Sequence, residues 1–299
     1  MATMAVSRSW KEVLGDHVAV TKPRIVILIA LTTWGAMLVA APGQSPASRI
    51  AFTLLGTALA VASAHTFNQC LERDLDALMK RTRKRPLVRG TMTPEHALRY
   101  AAVLAVASFA ILTWKVNLLS ALLAQAGLWF YVGVYTVLLK RRTPLNTVIG
   151  GIAGSIPPLI GWAAATGRLD LAALVLFAVM VLWQPPHFYA LTLFLLDDYR
   201  NAGYPMLPVV RGPEVASRHI AWYTTGMVLL SLTVYYPLGI SGPFYLATAL
   251  VAGGIYMALA WAAVFRRTGT VQEWGKRLFR YSMLYLAVLF VAMVIDVIP

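Results

Sequence analysis

Residues 65–90 read HTFNQCLERDLDALMKRTRKRPLVRG, and they close a long apolar segment of the chain. No charged residue occurs from 50 to 71, yet three acids then follow within five residues, and six basic residues lie between 80 and 89. Acidic groups beside a bilayer are costly unless they are paired or take part in function. This stretch therefore predicts a membrane helix that ends at a site for a charged ligand.

Similar apolar segments recur along the whole chain of 299 residues, of which 59% are hydrophobic and only 13% are charged. A soluble domain carries about 25% charged residues, and a helix of roughly 20 apolar residues crosses a bilayer. The sequence therefore predicts an all-α polytopic membrane protein with nine transmembrane helices in a single bundle. The predicted spans are residues 24–42, 49–70, 98–116, 118–139, 146–165, 172–196, 219–237, 243–265 and 279–298.

The basic residues predict the orientation of this bundle. With nine spans, one membrane face holds the N-terminus and the loops after the second, fourth, sixth and eighth spans. All 26 Lys and Arg residues except Arg49, Lys115 and Arg168 fall on that face, and the positive-inside rule places it in the cytoplasm. The net charge of +14 therefore indicates contact with anionic membrane lipids rather than with nucleic acid.

The chain divides into a cytoplasmic N-terminal segment, residues 1–23, and one intramembrane domain, residues 24–299. The first segment lacks the apolar core of a cleavable signal peptide, and the expected location is the cell inner (plasma) membrane. Lys22 is expected to anchor the start of the first span at the membrane interface. The single cysteine, Cys70, excludes an internal disulfide.

The acids after the second span predict a magnesium–diphosphate site. On a helix, Asn68, Glu72 and Asp76 are spaced i, i+4 and i+8, so they share one stripe, whereas Asp74 points away and is expected to pair with an arginine. Mg²⁺ usually binds one or two carboxylates together with phosphate oxygens, and arginine forks match phosphate geometry. The alternatives are a solvated helix end with ordinary ion pairs and a topogenic loop bound to lipid head groups.

The sixth span, which contains WQPPHF, ends in a second acidic pair on the same membrane face. Asp197 and Asp198 are therefore expected to face the first cluster. The loop 197–219 is rich in Gly and Pro, so it is expected to be a structured turn rather than a helix and to fold over the site as a lid. His187 lies deep in this span, where a histidine is either a structural hydrogen-bonding group or a ligand. Lys140 and Asn146 follow the fourth span on the same face.

Taken together, these motifs resemble the UbiA-type intramembrane prenyltransferases. NxxxExDxD followed by RTRKRP resembles the first aspartate-rich motif of the family, with Glu72 where the family usually has Asp. WQPPHF and DYRNAGYPMLPV are similar to the members that act on haem. The resemblance implies a bundle around a central cavity and transfer of farnesyl from farnesyl diphosphate to a vinyl group of haem b, with water addition, giving haem O. Trp183 and Trp162 are candidate walls whose π faces would stabilise an allylic cation.

The resemblance also implies roles for single residues and for partners. Asn68, Glu72, Asp76 and Asp198 would be catalytic and would hold Mg²⁺ together with Asp197. Diphosphate would be bound by Arg81 and Arg85, which match the RTxxRP arginines, and by Lys140, Asn146 and Tyr199. His187 matches the histidine of PHF and would bind haem. The implied partners are farnesyl diphosphate, haem b, membrane lipids and haem A synthase, with no nucleic acid.

Two other functions fit parts of the sequence. A prenyltransferase of the same family acting on a quinone precursor or a chlorophyllide is disfavoured by the PHF and lid motifs. A membrane transporter that uses the acids as an ion site is disfavoured because no inverted repeat is visible. The acids also lie at one membrane face rather than at the midplane.

Overall fold

The computed structural model describes residues 9–265 and 268–297, and within them every regular element is a helix. The helices are α1 (Trp10–Thr21), α2 (Pro23–Ala40), α3 (Ala47–Leu71), α4 (Arg73–Leu78), α5 (Pro86–Arg89), α6 (Pro94–Lys115), α7 (Leu118–Trp129), which a π-helix (Phe130–Leu139) continues, α8 (Asn146–Ser155), α9 (Pro157–Thr166), α10 (Leu171–Phe194), α11 (Leu196–Asn201), α12 (Leu207–Val210), α13 (Pro213–Leu232), α14 (Pro243–Val264) and α15 (Val271–Val297). The all-α, multi-pass prediction is confirmed.

In the described part of the chain, eight helical segments are long and apolar enough to cross a membrane. The predicted span at 219–237 corresponds to α13, which falls outside this group. This helix begins at Pro213 rather than at 219 and ends at Leu232. Its first turns therefore include Glu214 and Arg218, which lower its mean hydropathy. Charged residues likewise open α15, which begins at Val271 rather than at 279.

Prolines divide the fifth predicted span but not the sixth. Ile156 separates α8 from α9, and Pro157 occupies the first turn of α9, where its missing N–H leaves no bond unmade. Pro185 and Pro186, by contrast, lie inside α10 without ending it. Neighbouring helices make such prolines tolerable in a membrane bundle.

The helices enclose a cavity lined by residues of α2, α3, α7, the π-helix, α8, α9, α10 and α15. The α2–α9 contact is especially close, because a Cβ added at Gly161 would lie 2.1 Å from the Thr33 carbonyl oxygen. A residue without a side chain is what permits such an approach. Outward-facing apolar residues such as Val103, Val106 and Trp114 are exposed, as expected of a surface that contacts lipid.

Candidate active site

The central cavity has a volume of about 410 Å³, and its lining is polar at one end and apolar elsewhere. Its body is apolar, with residues such as Leu28, Ile160 and Met283. Its polar end is formed where several helices begin or end at one membrane face. The polar lining there comprises Lys22, Asn68, Glu72, Asp76, Arg81, Arg85, Lys140, Tyr199 and Tyr204.

The structure brings Asn68, Glu72 and Asp76 together in this polar end, where all three are almost fully buried. The continuous helix expected through them is wrong, because α3 ends at Leu71 and α4 begins at Arg73. Glu72 joins the two helices with φ −110° and ψ 9°. The break leaves the three side chains on the cavity and is accompanied by ion pairs to distant parts of the chain.

Each buried acid is matched by a basic side chain. Lys140 Nζ donates to Glu72 Oε2 at 2.6 Å, and Asn68 Nδ2 donates to the same oxygen at 2.8 Å. Arg85 forms an ion pair with Asp76. The second carboxylate oxygen of Glu72, Oε1, is buried and has no hydrogen-bond partner. The site therefore retains a strong oxygen acceptor for a cation or for a bound water.

Lys22 lies in the same network, although the sequence favoured an interfacial anchor. Its Nζ donates to Asn68 Oδ1 at 3.3 Å, and the residue lines the cavity. It is the only residue other than glycine with positive φ in the described part of the chain, at 55°. Burial lowers the pKa of its ammonium well below the ordinary value, and the charges of Arg85 and Lys140 lower it further. The signal available in the sequence was a lysine directly before the proline that starts the first span.

The basic loop contributes Arg81 and Arg85 to the cavity. Thr82 Oγ1 donates to the Asp76 carbonyl oxygen at 2.7 Å and so folds the loop back against α4. Asp198 accepts from the backbone N–H of Arg81 at 3.3 Å. The second acidic pair thus contacts the loop rather than the first acidic cluster.

Neither Asp197 nor Asp198 lines the cavity. The side chain of Asp197 is 70% exposed and pairs with Arg200 at 3.2 Å. The reason is local, because α10 ends at Phe194 and the acids belong to the separate helix α11. Asp197 and Asp198, which were expected to bind Mg²⁺, therefore do not share the cavity lining with Asn68.

The loop expected to form a lid contributes to the polar end of the cavity, but it contains the short helices α11 and α12, so the expectation of a turn without helix is wrong. Tyr199 and Tyr204 line the cavity, and they pack in one buried cluster with Met79 and Met206. Lys140 Nζ lies 5.0 Å from the centre of the Tyr204 ring. The Tyr204 hydroxyl is buried without a hydrogen-bond partner, so it is available to a ligand. The sequence suggested Tyr199 but not Tyr204.

Asn146 lies behind the site rather than in it. It is fully buried, and its Nδ2 donates to the Lys140 carbonyl oxygen at 3.4 Å. The neighbouring Thr147 lines the cavity in its place.

Asp74 forms the expected pair with an arginine, accepting from both Arg141 Nη atoms at 2.7 and 2.8 Å. The hydrogen bonds from Arg141 lower the pKa of the Asp74 carboxyl.

His187 lines the apolar body of the cavity, and its ring stacks on Trp183 with centroids 4.3 Å apart. Ser282 Oγ lies 2.8 Å from His187 Nδ1 and also donates to the Phe279 carbonyl oxygen. With Nδ1 as the donor in this bond, Nε2 would be the unprotonated ring nitrogen. Trp162 was a candidate cavity wall, but it does not line the cavity. It is buried elsewhere, and its Nε1 donates to Asp170 at 3.2 Å.

A divalent cation fits the donor set at the polar end. In residues 9–265 and 268–297, no group of three or more His, Cys, Asp or Glu side chains is gathered closely enough to hold a metal ion. Mg²⁺ does not require such a group, because it usually takes one or two carboxylates and completes its shell with water and phosphate oxygens. Glu72, with its unpartnered Oε1, Asp76 and the amide oxygen of Asn68 satisfy this requirement.

The fold and the cavity together define a multi-pass membrane protein with an internal cavity that is charged at one end and apolar along its body. Residues 28–293 match the UbiA prenyltransferase family, and the chain belongs to that family. The Symbiobacterium thermophilum relative named protoheme IX farnesyltransferase is 49% identical over 96% of this chain and 95% of its own. The Gloeobacter violaceus relative of the same name is 48% identical over 95% of this chain and 92% of its own.

Solved structures show the same fold at much lower identity. A structure of digeranylgeranylglyceryl phosphate synthase has a TM-score of 0.79 at 15% identity and covers 96% of this chain and 99% of its own. A UbiA homolog from Archaeoglobus fulgidus bound to DMAPP and Mg²⁺ has a TM-score of 0.68 at 17% identity and covers 93% and 99%.

Proposed function

We propose that this protein transfers the farnesyl group of farnesyl diphosphate to a vinyl group of haem b, with addition of water, to give haem O and diphosphate. The observation that carries the proposal is a cavity with a buried polar end, which holds both acidic and basic side chains, and an apolar body whose lining includes His187 and Trp183. The names of relatives at 48–49% identity supply the two substrates.

The polar end suits a diphosphate because its cations outnumber its acids. Three cationic side chains, Arg81, Arg85 and Lys140, line it against the two carboxylates of Glu72 and Asp76, and Lys22 is a further donor beside them. This excess of positive charge favours a polyanion, and arginine and lysine donors form the shorter, stronger bonds of charge-assisted contacts. Tyr199 and Tyr204 face the same space and are further donors to phosphate oxygens.

Magnesium is the proposed cofactor, held by Asn68, Glu72 and Asp76. When bound, Mg²⁺ supplies Lewis-acid neutralisation of the charge on diphosphate. The archaeal homolog bound to DMAPP and Mg²⁺ supports this part of the proposal. We place Asp198 one step away, as a residue that holds the Arg81 loop.

The protein's own residues then assist the transfer of the farnesyl group from diphosphate to haem. The C–O bond of farnesyl diphosphate breaks, and Lys22, Arg85 and Lys140 stabilise the charge that develops on the leaving oxygen. The terminal vinyl carbon of haem forms a bond to farnesyl C1, which leaves a cation on the inner vinyl carbon next to the porphyrin ring. Water adds to that carbon and loses a proton. A closed apolar cavity delays this water until the carbon–carbon bond has formed.

Haem is proposed to lie in the apolar body against His187. With Nδ1 as the donor, the bond to Ser282 would fix the ring and leave Nε2 free. A hydrogen bond at the other nitrogen is the usual support of a ligating histidine. The stacked Trp183 would form part of the same wall.

The basic residues support a plasma-membrane orientation with the N-terminus in the cytoplasm and the polar end of the cavity near the cytoplasmic face. Haem O made in the membrane interior would pass to a membrane enzyme that oxidises it, and haem A synthase is the proposed partner.

The proposal is tested by asking which of two acceptor molecules receives the farnesyl group. Membranes that contain the protein are incubated with labelled farnesyl diphosphate, Mg²⁺ and either haem b or 4-hydroxybenzoate. We expect label in haem and none in 4-hydroxybenzoate. Prenylated 4-hydroxybenzoate without labelled haem would instead assign the protein to the quinone branch of its family.

A further inference from the structure

His65 is a buried histidine in the cavity to which the proposed function gives no role. It is 7% exposed and lines the cavity, and both of its ring nitrogens lack a hydrogen-bond partner. Its one ring contact is edge-to-face with Tyr131, at 5.5 Å between centroids. A buried polar group left unpaired is costly, so two unpartnered nitrogens on a residue that lines a cavity indicate a ligand or a bound water.

The position of His65 along α3 places it beside the reacting carbons. His65 lies three residues before Asn68, which is about 4.5 Å along a helix, on the side toward the apolar body. Asn68 is a proposed ligand of the metal that would hold the diphosphate, so farnesyl C1 would lie just below it, at the depth of His65.

The depth of His187 agrees with this position. His65 lies six residues before the end of α3, about 9 Å, and His187 lies seven residues before the end of α10, about 10 Å. Both helices end at the same membrane face. A porphyrin against His187 would therefore bring a peripheral vinyl group to the level of His65.

Other groups in the polar end are less suited to accept a proton. The carboxylates of Glu72 and Asp76 are engaged by Lys140 and Arg85 and are the proposed metal ligands. Arg85 and Lys140 line the cavity with His65, and their guanidinium and ammonium groups are hydrogen-bond donors with no acceptor atom of their own. A neutral His65 offers one ring nitrogen as a proton acceptor and the other as a donor.

We propose that His65 holds and deprotonates the water that adds to the haem cation, and this inference rests on the proposed function. The water oxygen forms a bond to the inner vinyl carbon and supplies both electrons. One water proton passes to the free nitrogen of His65, and the other remains in the new hydroxyl group. The imidazolium then returns its proton to solvent or to the departing diphosphate. No oxidant or reductant is needed.

The experiment measures the ratio of the hydroxylated product to an alkene side product. Without an oriented base, the cation loses a proton from carbon instead, and the product is an alkene lighter by one water. Purified His65→Gln, His65→Ala and wild-type protein are incubated with haem b, farnesyl diphosphate and Mg²⁺, and the products are separated by mass spectrometry. His219→Gln is the matched control, because His219 is exposed and does not line the cavity.

For both His65 variants we expect the hydroxylated product to fall about a hundredfold relative to the alkene, as is typical for loss of a general base. Diphosphate release should change by no more than a few-fold, because it precedes water addition. The control should match the wild type, and ¹⁸O from labelled water should appear only in the hydroxylated product.

Other results would overturn the assignment. An unchanged product ratio in a folded His65→Gln protein would remove the base role. A shifted haem absorption spectrum with an unchanged ratio would make His65 an iron ligand instead. No farnesylated haem from the wild type would refute the proposed function itself, whereas wild-type haem O with unaltered variants would refute only this inference.

Discussion

Replacement of Lys140 by methionine should lower the stability of the protein and should also weaken the binding of farnesyl diphosphate. The pair with Glu72 is deeply buried, because the side chains are 14% and 1% exposed and the Nζ–Oε2 distance is 2.6 Å. Removal of one partner from a buried ion pair leaves an uncompensated charge and costs about 3–5 kcal/mol. Only the Asn68 amide would then contact Glu72 Oε2.

The double variant Lys140→Met, Glu72→Gln provides the critical comparison. It removes both charges while keeping similar volumes, so it should recover most of the stability lost in the single variant. It should not recover turnover, because it lacks both the proposed metal ligand Glu72 and the charge-assisted contact from Lys140 to diphosphate. That contact is worth about 1.5–3 kcal/mol, which corresponds to a rise in KM for farnesyl diphosphate of about ten- to a hundredfold.

The measurements are denaturation of the purified protein in detergent and initial rates at varied farnesyl diphosphate. Arg141→Met is the matched control, because Arg141 pairs with Asp74, whose side chain is 58% exposed, and exposed pairs contribute about 0–1 kcal/mol. A Lys140→Met protein as stable as the control would refute the reasoning. So would a double variant as unstable as the single one.

Four further predictions concern the remaining site residues. Asp76→Asn should remove most of the turnover while the protein still elutes as a folded species, since Asp76 is a proposed metal ligand; a wild-type rate would exclude that role. Asp197→Asn should leave the rate within about twofold, because an exposed pair contributes little. Asp198→Ala should raise KM for farnesyl diphosphate, because it removes the acceptor of the Arg81 backbone N–H, and an effect no larger than that of the Asp197 substitution in steady-state kinetics would contradict this assignment. His187→Ala should shift the absorption spectrum and weaken the affinity of bound haem, and an unchanged haem titration would return His187 to a structural role.

Much of the fold could be predicted because the bilayer imposes a length on every span. Charge-free runs therefore marked the helices well, and the one weak case, α13, has charged residues in its first turns. The break at Glu72 was not predictable from spacing. It accompanies a pair with Lys140, 68 residues further along the chain, and local helix periodicity carries no information about such a contact.

The site was predicted only where chemistry and helical spacing coincide. Asn68, Glu72 and Asp76 share a stripe and reach the cavity together. Lys22 was missed because a lysine before the first span also suits an interface, and its left-handed backbone is a property of the folded chain. Asp197 was expected at the site because acids on one membrane face look equivalent in sequence, whereas the end of α10 at Phe194 turns its side chain outward.

The most direct test of the account is a structure of the protein with Mg²⁺ and a non-hydrolysable farnesyl diphosphate analogue. The account predicts the diphosphate within hydrogen-bond distance of Lys22, Arg85 and Lys140. It also predicts the metal between the diphosphate and the carboxylates of Glu72 and Asp76, and the farnesyl chain in the apolar body of the cavity. A diphosphate bound at Asp197, or bound without contact to Glu72 and Asp76, would contradict it.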